Sequence, residues 1–366
     1  MRGLGLFLGM CRRCRQGGAA VAPVNTAAPV ATGAAYVGLT LTSADGSWTG
    51  SPAPTFTYQW QRFTGGVWVD IVGETAATYV VALADEGIPV RCVVTATNIA
   101  GSASEPSNAI EQWVPADAGA APQHWFDAMD ATTITIATGV SAWASKGSLG
   151  SSLVQATAAN QPAYGAAAFN GKPGLTFAAG LSRLINETDL PTWRNTGYGS
   201  AHIALHPTTS AGSKGVIGAS TPTANSSRLF YRVFNGNYQL IGVRDDADGL
   251  NYANGGAVLT APCSQSLRQR WANATYMMRQ NGNVMINSGR LTAGLTSDTD
   301  SSRLVLGTIM SASGDEFVGS MGEVLVYAID LSDAMMDKID GYLAWRWGMV
   351  ADLPALHPYK TAAPTP

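Results

Sequence analysis

The chain has 366 residues, of which 46% are hydrophobic and only 13% charged, with 41 glycines and a formal net charge of −3. That length exceeds what one hydrophobic core usually serves, and the low charge with abundant Gly, Ala, Thr and Ser suits short strands joined by turns, so two domains of all-β architecture are expected. Lys and Arg cluster only at Arg12, Arg13 and Arg15, which excludes a nucleic-acid partner, and no run approaches the ~20 apolar residues of a membrane span.

Residues 1–24 read as a short anchoring arm, with a disordered tail as the plainer alternative, rather than as a signal peptide. The apolar stretch from Gly3 to Met10 is short and is preceded by a single Arg2, and arginines follow it where a cleavage site would lie. Cys11 and Cys14 have the spacing of half a zinc site, but Cys92 and Cys263 stand alone, so the four cysteines read as reduced thiols.

Pro and Ala punctuate the chain at Pro23 to Ala34, at Pro115 to Pro122 and at Ala362 to Pro366, the places where linkers and tails are expected. Between the first two breaks, strand-like runs recur at Tyr36 to Thr42, Thr55 to Arg62, Val67 to Ile71, Thr78 to Val81, Val90 to Thr97 and Ala103 to Ile110. Gly46-Ser47, Gly50-Ser51-Pro52, Gly65-Gly66 and Asp85-Glu86-Gly87 supply turns, and the pattern is that of a sandwich. Gly46-Ser47-Trp48, Tyr58-Gln59-Trp60-Gln61-Arg62, Thr78-Tyr79, the Asp85-x-Gly87 corner and Val93 to Asn98 with Gly101-Ser102-Ala103 resemble the bacterial and phage immunoglobulin-like domain family, over nearly all of residues 25–111. The resemblance implies that Trp60 is the buried strand tryptophan and Cys92 the second core cysteine. Leu39 and Leu41 occupy the strand of the first cysteine and Val90 stands at the tyrosine corner, so a core without a disulfide is implied.

After a linker at 112–122, residues 123–366 form the second domain. His124-Trp125-Phe126-Asp127-Ala128 opens it, and further strands are expected at Leu175 to Phe177, Ala201 to Leu205, Gly215 to Ala219, Leu229 to Val233, Tyr238 to Val243, Ala274 to Arg279, Val284 to Ile286, Arg303 to Gly307 and Gly322 to Tyr327. One helix is expected near the end: Ser332 is the N-cap, Asp333 favours the positive end of the helix dipole, Met336, Ile339, Leu343 and Trp347 share a face, and Gly348 stops the run. Trp125-Phe126-Asp127-Ala128 with Trp143, Gly174-Leu175-Thr176-Phe177, Gly322 to Tyr327 leading into Leu331-Ser332-Asp333, and Gly341 to Gly348 with Leu353-Pro354 and His357-Pro358-Tyr359 resemble the concanavalin A-like lectin and laminin-G-like superfamily, in the variant common among phage structural proteins. The resemblance implies a jelly-roll sandwich with one C-terminal helix.

That superfamily includes glycoside hydrolases, whose retaining members need two carboxyl groups roughly 5 Å apart. Glu187-Thr188-Asp189 begins a carboxylate-bearing strand, but Leu190-Pro191 ends it. His124, His202, His206 and His357 have no local acid partner, and no nucleophile elbow or phosphate loop is present, so no enzyme is expected. Asp245-Asp246-Ala247-Asp248-Gly249-Leu250-Asn251 groups hard oxygen ligands around a glycine, making Asp246, Asp248 and Asn251 a calcium candidate, with a solvated turn as the plainer reading. Otherwise no cofactor is expected. Sugar binding needs aromatic faces beside amides, and Trp193, Tyr198, Asn235, Asn237, Tyr238, Tyr252 and Trp271 offer both types on expected loops, with Trp193 and Trp271 alternatively part of the core.

Together these readings anticipate a virion protein, assembled in host cytoplasm: a head spike, head fibre or tail-fibre component of a tailed phage or phage-like gene transfer particle. Its partners would be other virion proteins through the arm, host surface polysaccharide through the lectin-like domain, and copies of itself in a homo-oligomer. The rival expectations are a decoration protein without glycan binding and a secreted bacterial adhesin.

Overall fold

The computed structural model describes residues 19–366 except 181, 187–191, 194–195, 210, 221–226, 243–250, 272–274, 291–302 and 309–315; for 220, 227–230, 234, 238–242, 251–255 and 287–290 it describes the backbone alone. The chain divides into two compact units, one of Met1–Gly33, Leu39–Val80 and Ile88–Ile110, the other of Ala34–Gly38, Val81–Gly87 and Glu111–Pro366. Most of the described chain is antiparallel sheet, with one α-helix.

The first unit holds β1 (Val21–Ala27), β2 (Val30–Thr32), β3 (Thr40–Ala44), β4 (Ser47–Ser51), β5 (Thr55–Thr64), β6 (Val67–Asp70), β7 (Thr78–Val80), β8 (Val90–Asn98) and β9 (Gly101–Pro106). They pair as β1-β4, β2-β3-β7 and β6-β5-β8-β9. Side chains alternate across a strand, and Val90, Cys92, Val94 and Ala96 of β8 accordingly share one face and are all fully buried. Trp60 stands opposite Cys92, lies against the tilted ring of Tyr79 with centroids 5.6 Å apart, and donates its indole N–H to the Ala76 carbonyl at 2.9 Å. Cys92 is a free, buried thiol. Gly65 and Gly66, both at positive φ, close the β5-β6 hairpin. Pro23 to Ala34, expected to be a linker, is instead occupied by β1 and β2. A proline is compatible with β1 because this strand pairs on one side only, with β4. The run expected from Tyr36 becomes strand only at Thr40.

The second unit holds β10 (His124–Asp127), β11 (Ile134–Ile136), β12 (Val140–Ala144), β13 (Ser152–Val154), β14 (Ala163–Phe169), β15 (Lys172–Phe177), β16 (Leu184–Ile185), β17 (Tyr198–Pro207), β18 (Ser213–Ser220), β19 (Ser227–Phe234), β20 (Asn237–Gly242), β21 (Asn251–Ala257), β22 (Cys263–Arg270), β23 (Thr275–Gln280), β24 (Asn283–Arg290), β25 (Arg303–Leu306), β26 (Gly319–Tyr327) and α1 (Asp333–Trp347). One sheet runs β14-β15-β26-β17-β22-β23-β24 with β10 also on β26, and the other runs β11-β12-β13-β16-β25-β18-β19-β20-β21. Every residue of β26 is buried.

The two sheets lie face to face. Phe126 of β10 meets Trp143 of β12 at 5.4 Å between ring centroids, and the Met285 side chain of β24 closes on Gly256 of β21. The opposite face of the first sheet is covered by α1. Ser332 caps α1 by accepting the Met335 N–H at 3.2 Å, and Gly348, at φ 74°, ends it in the left-handed conformation that a glycine adopts without strain. Met336, Ile339, Leu343 and Trp347 are fully buried, as their spacing requires. Gly322 is a glycine because a Cβ there would lie 2.7 Å from the Trp347 ring.

Candidate functional site

The layer between α1 and its sheet contains the densest chemistry of the second unit. Asp127 of β10 and Glu323 of β26 are register partners and so project to the same face, where both are fully buried. Oε1 of Glu323 accepts the Trp125 indole N–H at 2.7 Å and the Tyr342 hydroxyl at 2.8 Å, and Oε2 accepts the Trp347 indole N–H at 2.8 Å. Arg346, also fully buried, lies 3.4 Å from Glu323 and 2.6 Å from both Asp127 and Glu86. Lys146 bridges Glu86 and Asp127 and stands 4.0 Å from the Trp125 ring centroid. Burial pushes the Glu323 carboxyl up to about 7 against the pull of Arg346. Burial opposes the Lys146 ammonium, yet Asp127 and Glu86 outweigh it and hold the amine above its usual range.

A second cluster joins the same sheet to α1. Nδ1 of His202 is 2.9 Å from the Ser266 hydroxyl, which in turn bonds to Asp340, and Arg279 bridges Asp337 at 2.6 Å and Asp340 at 3.3 Å. These are the residue types of a hydrolytic triad in the wrong order. The serine stands between base and acid, so its proton is committed to the carboxylate and His202 has no carboxylate partner to orient it. His202, Ser266 and Asp340 are fully buried. Burial drives the His202 imidazole down to about 3 and the Asp340 carboxyl up to about 6. His124 is likewise buried between Ser151 and Thr192 and pushed down to about 4.

Asp337, Asp340 and His357 bring ligand-type atoms within 4.8 Å of one another. Arg279 already pairs with both carboxyl groups, and Nδ1 of His357 accepts the Tyr359 N–H, which leaves the imidazole proton on Nε2, where it is a donor and not a ligand. The chemistry of this donor set does not suit a cation.

The face of the same sheet turned toward the second sheet is different. Ser266, Arg268 and Arg279 point to α1, so Gln265, Leu267 and Gln269 of β22 and Gln280 of β23 point the other way. Gln265 and Gln280 are directly opposite in the ladder. Among the described residues, both amide atoms of Gln265 and of Gln269, and Oε1 of Gln280, are buried without a hydrogen-bond partner.

Sequence reading missed these glutamines because Cys-Ser-Gln-Ser-Leu-Arg-Gln-Arg is too polar to read as a strand. The overlooked signal was Gln, Leu and Gln at alternate positions. It also missed the Asp127–Glu323–Arg346 hub, whose members are distant in sequence.

Trp193 and Trp271 lie between strands, as expected, but are turned into the interior, each 3% exposed. Both rings approach Gly199, where a Cβ would meet Trp271 at 2.6 Å and Trp193 at 2.8 Å, so the glycine makes room for two indoles. Gly199 is the register partner of Gln269, which places both indoles at the inward, glutamine-bearing face. The Trp193 N–H donates to the Tyr327 carbonyl at 2.7 Å, while the buried Trp271 N–H has no partner among the described residues. Tyr198 is half-buried at the start of β17. Asn235 and Asn237 are exposed, Asn235 at φ 47° and Gly236 at φ 84° forming the β19-β20 turn. Tyr238, Asn251 and Tyr252 are placed in β20 and β21 by backbone alone. Asp246 and Asp248, and the rejected pair Glu187 and Asp189, lie outside the described residues.

No protein-family model matches the chain, and no curated protein matches it. Among solved structures, the CBM40 domain of Ruminococcus gnavus IT-sialidase bound to α2,3-sialyllactose is 18% identical, with 44% of this chain and 92% of that one covered and a TM-score of 0.37. The botulinum neurotoxin serotype D binding domain is 8% identical over 60% of this chain and 50% of its own, with a TM-score of 0.43. A heptameric SAP-like pentraxin from Limulus polyphemus is 10% identical over 45% of this chain and 80% of its own, with a TM-score of 0.36.

Proposed function

We propose that the chain is a virion surface structural protein, a head spike, head fibre or tail-fibre component, in which an immunoglobulin-like module accompanies a lectin-like sandwich that attaches to host surface polysaccharide without catalysis. The observation that carries the non-catalytic reading is the closure of the acid and base groups just described. Asp127, Glu323, Asp340 and His202 are fully buried and engaged with internal partners. Groups held this way stabilise a scaffold and cannot meet a polymeric substrate. Recognition of a neutral surface by aromatic and amide side chains is then the chemistry that suits a two-sheet sandwich.

The arm that docks on the particle is assigned to residues 1–24, and most of it precedes β1, which begins at Val21, so it can be shortened without touching that strand. Copies of the chain in a symmetric oligomer would add weak sugar contacts into useful avidity. Calcium, if required, would be held by Asp246, Asp248 and Asn251.

A glycan array and a host-cell adsorption assay with the full chain test the reading. Adsorption abolished by stripping surface polysaccharide is the expected result. Absence of any glycan binding alongside intact particle assembly would replace it with a decoration role. Deleting residues 1–18 is expected to abolish incorporation into particles while both units stay folded, and retained incorporation would reject the arm.

A further inference from the structure

A strand at the edge of a sheet presents unpaired N–H and C=O groups to which another chain can add, and natural edges are blunted by proline, lysine, a bulge or a covering segment. In the β6-β5-β8-β9 sheet the β9 edge is treated in this way. β9 ends in Glu105-Pro106, and Asn98, at the end of β8, donates to the Val21 carbonyl of β1 at 2.8 Å. The other edge is bare. β6 reads Val67-Trp68-Val69-Asp70, runs in unbroken register along β5 and, among the described residues, pairs with no other strand. Val67 and Val69 are 58% and 44% exposed.

The direction of its backbone groups is fixed. The Ile71 N–H donates to the Trp60 carbonyl at 2.9 Å, and facing pairs in an antiparallel ladder alternate between bonded and unbonded. Val69 and Val67 therefore turn their N–H and C=O groups to β5, whereas Trp68 and Asp70 turn theirs to the open edge. Two opposite charges stand beside that edge on one face. The Arg91 guanidinium of β8 reaches across β5 to lie 4.2 Å from the Trp68 ring centroid and donates from Nε to Oε1 of Gln61 at 2.9 Å, and the Gln61 amide donates to Asp70 at 2.8 Å. Neither Arg91 nor Asp70 has an ion-pair partner among the described residues.

We infer that β6 pairs antiparallel with β6 of a second copy of this chain, about a twofold axis through Val69, joining their two four-stranded sheets into one. In this register Trp68 stands opposite Asp70 of the second copy, on the face that carries Arg91, and the two exchange the backbone hydrogen bonds that the open edge leaves unmade. Asp70 of each copy thereby meets the guanidinium that lies on Trp68 of the other, and Val69 meets Val69 on the reverse face. A second copy is the fitting occupant because the edge carries both a cation and an anion, and self-pairing answers each with its opposite, twice. A twofold through Trp68 would also match the open groups, but it sets Asp70 against Gly66 and leaves Arg91 without a carboxylate. The inference gives the symmetric oligomer of the attachment reading a contact surface and needs no glycan contact.

Sedimentation velocity on the full chain from about 1 µM to about 500 µM tests it, a wide range because a strand of four residues makes a weak contact. A monomer–dimer equilibrium is expected. Val69→Lys sets like charges opposite each other on the axis and should abolish the dimer while leaving Tm unchanged, since this side chain is already exposed. Asp70→Lys and Arg91→Glu should each weaken self-association at least tenfold, and mixing these two variants should restore it as a heterodimer, because every charge then faces its opposite again. A chain that stays monomeric throughout the range, a dimer indifferent to Val69→Lys, or mixed variants that fail to associate overturns the inference. Host-cell adsorption is measured separately, so its loss rejects the attachment reading alone and leaves the dimer standing.

Discussion

Replacing Arg346 by Met tests the buried charge network directly. The guanidinium is fully buried and is shared among Asp127, Glu323 and Glu86, at 2.6, 3.4 and 2.6 Å. Methionine fills much of the same volume but leaves the two fully buried carboxylates with Lys146 as their nearest cation, 3.2 Å from Asp127. Removing one partner of a buried ion pair costs ~3–5 kcal/mol, because the remaining charge is uncompensated. In a domain of this size that corresponds to a fall in Tm of about 10 °C. Urea denaturation, read by hydrogen exchange at the β26 amides so that the transition is assigned to the second unit, measures it. The loss should shrink as pH falls, since protonated carboxyls no longer need the guanidinium. A loss below about 1 kcal/mol at pH 7.5, or one independent of pH, would refute the claim that the hub is an ionised, closed network.

The pH dependence follows with a defined sign. The folded pKa of Glu323, about 7, lies above its ordinary value, so its contribution is present in acid and is lost as pH rises through about 7. Stability of the wild type relative to Glu323→Gln should therefore fall between pH 5 and 8, with a slope of up to ~1.4 kcal/mol per unit, and a flat difference would contradict the raised pKa. His124 and His202 have the opposite sign. Their depressed pKa values, about 4 and about 3, confer stability that is full above the ordinary histidine range and is lost as pH falls through those values, so His202→Asn should flatten the acid limb of a stability profile. Ser332→Ala should cost about 1 kcal/mol by removing the helix cap, measurable by thermal denaturation. Gly322→Ala should cost ~1–3 kcal/mol because its methyl collides with the Trp347 ring, and an unchanged Tm would show that the helix can slide aside.

The helix was legible in the sequence because its determinants are local: Ser332, the apolar positions from Met336 to Trp347 and Gly348 each act within a turn or two. Burial of Trp60 and Cys92 was anticipated only through the motif resemblance around them, since Cys92 has Val93 beside it and shows no clean alternation. β1 and β2 were misread as linker because proline signals irregularity unless a strand has a free edge, and edge position is a property of the fold. β22 went unread because both of its faces are covered and both are polar, so no binary pattern distinguishes it. Burial of Asp127, Glu323 and Arg346 was invisible for a related reason: each carboxylate is tolerable in the interior only beside the guanidinium, and the guanidinium only beside them. The candidate tryptophans were located by residue type alone, and their enclosure depends on one small residue, Gly199, in a different strand.

The position of β26 has a consequence for biosynthesis. This strand pairs with β10, β15 and β17, yet it lies at residues 319–327. As the chain leaves the ribosome, β10 must therefore wait for almost two hundred residues before its hydrogen-bonding neighbour exists. Such long-range closure makes folding slow and leaves unpaired strands open to misassembly in the interval. A translational pause or premature stop just upstream of residue 319 would strand the larger unit as an aggregation-prone nascent intermediate, whereas β5, β8 and β9 of the smaller one would already have met.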